Sequence, residues 1–140
     1  MTPTADLVRG WLEHSPFAGH LGIELVSLGD GEAELRLPFR PELATMGDVV
    51  HGGAVSSLID TAAAAAAVAA VEGEELTGGT TVDISVSLVG AAHGSDLTAH
   101  AGVIRSGRAI TFCEVEVTGE DDRPIAKGLV TYRTFTAGEG

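Results

Sequence analysis

From Val50 to Val71 the chain reads VHGGAVSSLIDTAAAAAAVAAV. Apolar residues fill most of these positions and no proline interrupts them. Alanine is the strongest helix former, so the pattern predicts a helix of about twenty residues. A helix that is apolar on nearly every side belongs in an interior. Its polar residues are not scattered: Ser56, Ser57, Asp60 and Thr61 lie three to four positions apart and form one stripe, which Gly53 extends toward the helix start. Beyond Thr61 only Ala and Val follow. The first half therefore faces something polar, and the second half is buried all round.

The flanking segments alternate differently. Leu7, Val8, Trp11 and Leu12 have helical spacing, predicting an amphipathic helix over 4–14 that Pro16 ends. Residues 22–28 read as a strand, and Gly29-Asp30-Gly31 is a hairpin signal. Ala33, Leu35 and Leu37 alternate with Glu32, Glu34 and Arg36, giving one face in and one face wet. Residues 40–50 read as a loop carrying Thr45, and 72–79 as a polar exit from the helix. Four strand-like runs follow: 82–88, 97–103, 109–118 and 125–135. Turn chemistry separates the later ones at Ser106-Gly107-Arg108 and at residues 119–122. The tail 136–140 reads as frayed.

This order predicts a single α+β domain over residues 1–140, with 1–20 as an N-terminal helical segment. Consecutive strands with short turns favour an antiparallel sheet with helices on one face. Such a sheet leaves edges to protect, and pairing with a second copy would cover one.

Composition narrows the function. The 140-residue chain has a net charge of −12 and 8 Lys and Arg, which argues against a nucleic-acid binder that tracks phosphates. A local basic pocket for one phosphorylated ligand remains compatible with it. Cys113 is the single cysteine, so no internal disulfide forms and no cysteine-based zinc site exists. The five histidines lack metal-ligand spacing. The N-terminus carries acids and does not read as a signal peptide. The central run is interrupted by Asp60 and falls short as a membrane span, so the expected setting is cytoplasmic.

Asp60 is the informative residue. A carboxylate on a buried helix is costly unless it is paired, protonated or used. It reads as a structural ion pair, as an N-cap for the alanine run after a break at Ile59, or as a catalytic acid. The helix start is the second candidate. Its unpaired N–H groups and positive dipole end suit an oxyanion, and Gly52 and Gly53 leave room for a carbonyl there. The plainer reading is a tight loop-to-helix entry. His51 either orients the loop by satisfying backbone groups, the favoured reading, or serves as an acid or base. Gly52 and Asp60 are eight residues apart, or about 12 Å along the axis. One helix cannot easily bring both to one carbonyl. Two antiparallel copies about a twofold axis could, so a site using both is expected to be shared between subunits.

The segment HGGAVSSLIDTAAAAAA, followed by TVDISVSLV, resembles the hotdog-fold acyl-CoA thioesterases, in their PaaI-like (phenylacetate pathway) branch. The likeness runs from Leu21-Gly22 to Tyr132. It implies an antiparallel sheet wrapped around a long central helix, homodimers or homotetramers with composite sites, an acyl-CoA substrate, and no cofactor or metal. By position, Asp60 matches the family's catalytic acid, Gly52 its oxyanion donor, and Thr81 the hydroxyl residue that holds water beside the acid. Arg105, Ser106, Gly107 and Arg108 match the turn that often meets the CoA nucleotide. Two arginines by a glycine could hold phosphates or could equally be solvated turn charges. Two departures stand out. Ala44, Thr45 and Met46 replace a loop asparagine, leaving Thr45 as the polar substitute, and Gly90-Ala91 replaces an Arg-Pro pair. The expected activity is hydrolysis of an aromatic or medium-chain acyl-CoA. The rivals are an acyl-CoA-binding module without catalysis, against which the acid and the glycines argue and which the missing asparagine keeps open, and hydration of an enoyl thioester, for which no Asp/His pair is evident.

Overall fold

The computed structural model describes residues 3–71 and 76–137. The chain runs α1 (Pro3–His14), α2 (Pro16–Leu21), β1 (Glu24–Gly29), β2 (Glu32–Leu37), a 3-10 turn (Pro41–Leu43), β3 (Ala44–Met46), β4 (Val49–Val50) and α3 (Gly52–Ala69). It continues with β5 (Leu76–Leu88), β6 (Leu97–Ser106), β7 (Ile110–Thr118), a second 3-10 turn (Glu120–Asp122) and β8 (Pro124–Thr136).

Six strands form one sheet in the order β1-β2-β6-β7-β8-β5, antiparallel at every pairing. It wraps around α3, the hotdog arrangement that the resemblance implies. Alternation explains which face turns inward. Leu35, Ala99 and Val117 form one cross-strand row, and all are buried against the helix. Glu34, His100 and Glu116 form the next row and lie on the outer face. The alanines let the sheet come close, and Gly128 does the same from the other side: a methyl group there would sit 2.6 Å from Ile59 Cγ2. Leu58 and Ile59 are fully buried, each stabilising the fold by about 1.5–3 kcal/mol. By length and composition α3 could cross a membrane, so the sequence reading understated it; here it is the core helix, more than half buried in its own domain.

Three local readings change. Pro16 ends α1 but also begins α2, because Ser15 caps that helix by accepting the Ala18 N–H and proline suits the first helical position. The loop 40–50 contains a small hairpin, β3–β4. The exit read at 72–79 is partly strand: β5 already pairs with β8 at Leu76↔Thr136. Threonines and glycines there carry little strand signal alone, and the partner strand supplies the order. Residues 72–75, and 138–140 of the tail read as frayed, lie outside the described residues.

The alternation of Val82, Ile84, Val86 and Leu88 does not produce a buried face. Val82, Ile84 and Leu88 are exposed. β5 is an edge strand, and a bulge between Thr81 and Asp83 shifts its register.

Candidate active site

One stripe of α3 escapes the sheet, and it is the polar stripe of the sequence. Gly53 and Ser57 line a cleft of about 240 Å³ at the helix start. Asp60, Thr61 and Ala64 line the next, of about 390 Å³. Val68 lines a third, of about 370 Å³. Helices α1 and α2 form the opposite wall through Trp11 and Phe17. The hydroxyls of Ser56, Ser57 and Thr61 each donate to a carbonyl one turn back, which quiets them and leaves Asp60 as the stripe's charge.

Asp60 is half-buried and opens to the cleft. The helix is continuous through Ile59, so Asp60 is not an N-cap. No cation pairs with it among the described residues, so it is not a structural ion pair either. Its partner is the Thr81 hydroxyl, which donates to Oδ1 at 2.5 Å. Oδ2 accepts no hydrogen bond from a described residue. A carboxylate with one oxygen anchored and the other facing a cleft is arranged to accept a proton. Tyr132 stands beside it. Burial, and secondarily the Asp60 charge, hold the Tyr132 phenol above its ordinary pKa.

At the helix start His51 is the N-cap. The Gly53 N–H donates to His51 Nδ1 at 2.8 Å, which puts the ring proton on Nε2. That occupies the Gly53 donor, whose backbone then only lines the smaller cleft. The Gly52 N–H has no acceptor among the described residues, so it is the free donor of the pair. Gly52 also makes space: a methyl group there would lie 2.7 Å from Leu88 Cδ1. Thr45 is exposed on β3 in the hairpin that delivers the chain to His51.

The Arg105–Arg108 turn is not brought to Asp60. A cross-strand row, Ser106–Thr111–Tyr132–Thr81, spans the distance, three strand spacings or about 14 Å. Arg105 and Arg108 are exposed, and neither pairs with an acid among the described residues. The Gly107 N–H closes the turn on the Ile110 carbonyl at 2.8 Å.

Two other features can be set aside. A concavity of about 590 Å³ lies on the outer sheet face and is lined by Asp30, Glu32, Glu34, Glu114 and Glu116. That charge would repel a phosphorylated substrate. The Cys113 thiol is buried and points at the Ala63 carbonyl, and burial pushes its pKa to about 11. It stays protonated and unreactive.

The family model described as the thioesterase superfamily matches residues 47–126, from the β3–β4 hairpin to the start of β8. The chain belongs to the thioesterase superfamily. It is accordingly a thioester hydrolase. The Halobacterium salinarum protein VNG_1336C is 31% identical over 140 residues, covering 94% of this chain and 92% of that one. The medium/long-chain acyl-CoA thioesterase YigI of Salmonella typhimurium is 28% identical over 132 residues, 85% of each chain. Among solved structures, the Escherichia coli PaaI protein from the phenylacetic acid degradation operon superposes with a TM-score of 0.84 at 21% identity, covering 94% of this chain and 93% of that one. That likeness concerns the fold.

In this thioesterase the sequence reading missed Trp11, Phe17, Gly79 and Tyr132 as cleft residues. Trp11 was legible as part of an amphipathic helix. Which surface that helix covers depends on how it docks, and local pattern does not encode docking.

Proposed function

We propose that this protein hydrolyses an acyl-CoA thioester to a free acid and CoA, with Asp60 as general base or nucleophile. The observation that carries the reading is the Thr81–Asp60 pair: a half-buried carboxylate, held by one hydroxyl, unpaired with any described cation and open to a cleft. As a base, Asp60 takes a proton from water while the water oxygen bonds to the thioester carbonyl. The carbonyl oxygen becomes an oxyanion, which the Gly52 N–H stabilises. Collapse breaks the C–S bond, and the departing thiolate recovers the proton from Asp60. As a nucleophile, an Asp60 oxygen instead bonds to the acyl carbon and the C–S bond breaks to release CoA thiolate; water then opens the resulting anhydride to the free acid and the Asp60 carboxylate, and the proton released goes to the thiolate. Arg105 and Arg108, unpaired at their turn, suit the phosphates of CoA.

The site is composite in this reading. Within one chain Thr81 touches Asp60, and Leu88 abuts Gly52. Pairing β5 antiparallel with its copy, centred near Ile84 and Ser85, sets Thr81 of one subunit opposite Leu88 of the other. Each Asp60 then approaches the other subunit's Gly52. The exposed Val82, Ile84 and Leu88 on an unguarded edge favour a homodimer of this kind, which could pair again as a tetramer.

The test is thiol release over a panel of acyl-CoA substrates. Asp60→Asn is expected to lower kcat by about 10²–10⁴-fold with an unchanged circular dichroism spectrum. Full activity in that variant overturns the assignment. A single turnover in H₂¹⁸O tests the nucleophilic route: label in Asp60 requires an anhydride opened at the Asp60 carbonyl, and general-base hydrolysis puts none there.

A further inference from the structure

Asp60, Ala64 and Val68 are spaced four apart on α3, so they share one face. Along that face the chemistry changes from carboxylate to methyl to isopropyl over about 12 Å. The cleft at Asp60 and the cavity at Val68 adjoin: Trp11, Gly79 and Tyr132 line both. Beyond that neck the walls are Leu7 and Val8 of α1, Val68 of α3 and Leu76 of β5. Among the described residues, no charged side chain lines this far cavity. Gly79 shapes the neck, because a side chain there would overlap the Tyr132 hydroxyl. That hydroxyl has no hydrogen-bond partner among the described residues and stands where the polar cleft becomes apolar.

We infer that the cavity under α1 is the acyl pocket, that Gly79 and Tyr132 form its neck, and that Val68 and Leu76 set the length of chain it accepts. This rests on the proposed hydrolysis at Asp60. A carbonyl placed at Asp60 and Thr81 has its thioester sulfur toward the open cleft and its hydrocarbon tail directed through the neck. There the tail leaves water and packs against leucine, valine and indole, which the hydrophobic effect favours. The pocket accepts an unbranched medium-length chain. A short chain stops at the neck and forgoes that burial. A chain much longer than the groove runs past Val68 and Leu76 and gains no further apolar contact from these walls.

The lone tryptophan, Trp11, lines the cavity and reports occupancy. Titrating the wild type with decanoate is expected to change Trp11 emission saturably. In Val68→Phe the ring fills the far end, and the midpoint is expected to weaken roughly tenfold or more. Over the same change, kcat/KM for decanoyl-CoA should fall by a similar factor while that for butyryl-CoA holds. Leu76→Phe repeats the block from the opposite wall and carries the test should Val68→Phe not fold. An unchanged decanoyl-to-butyryl ratio in a folded blocked variant, or equal loss on both substrates, overturns the pocket. A wild type that takes up decanoate at Trp11 yet hydrolyses no acyl-CoA overturns the hydrolytic reading and supports the pocket. Hydrolysis with no chain-length response to either block does the reverse.

Discussion

The Thr81 hydroxyl and Asp60 Oδ1 are 2.5 Å apart, and this contact ties the edge strand to the core helix at the carboxylate. It gives Asp60 one fixed oxygen and one open one. Thr81→Val removes the donor while keeping the shape. A hydrogen bond to a charged group contributes about 1.5–3 kcal/mol, so kcat is expected to fall by about ten- to a hundredfold if that energy orients the reacting carboxylate. Thr81→Ser retains a hydroxyl and should keep most of the rate. Steady-state kinetics on both variants decide it, and equal rates would reduce the contact to a structural one.

Gly52 and Asp60 are expected to act from different subunits. Asp60→Asn removes the base. Gly52→Val combined with Leu88→Ala fills the carbonyl's seat while relieving the clash with Leu88 Cδ1. Each should be inactive alone. Mixed subunits restore one complete site per heterodimer, so a co-refolded equal mixture should recover about a quarter of wild-type activity. No recovery from such a mixture, with heterodimers shown by mass spectrometry, would place both groups in one chain.

His51 caps α3 through Nδ1. His51→Ala leaves the Gly53 N–H without its acceptor and should cost about 1 kcal/mol of stability, read by urea unfolding. His51→Asn offers a replacement oxygen and should recover most of that. If His51→Asn is stable but loses turnover, the imidazole does chemistry beyond capping.

Asp96 links two strands away from the site. It accepts the Phe39 N–H at 2.7 Å and pairs with Arg36. The Phe39 hydrogen bond first, and Arg36 second, hold its carboxyl below the usual carboxylate range. A folded-state pKa lower than the unfolded one stabilises the protein above the unfolded value, and that contribution fades as pH falls through the folded value. Asp96→Asn should therefore be less stable than wild type at neutral pH, with the gap narrowing below about pH 4. Thermal melts across that range measure it. A gap independent of pH would assign the loss to packing.

How much was legible follows from the range of each signal. Helix α3, its polar stripe, the Gly29–Gly31 turn and the alternation of β2 are local patterns, because side-chain period reports burial one element at a time. The singular charge of Asp60 on an apolar helix was visible for the same reason. Thr81 had no local distinction and became a site candidate only through resemblance to a family. The early start of β5, the docking of α1 over the groove and the neck at Gly79 and Tyr132 depend on partners distant in the chain. They follow from strand pairing and close packing, which no single segment carries. The alternation of residues 82–88 likewise read as a strand without saying what would cover it, and at the sheet edge Val82, Ile84 and Leu88 stay exposed, since burial is settled by what lies opposite.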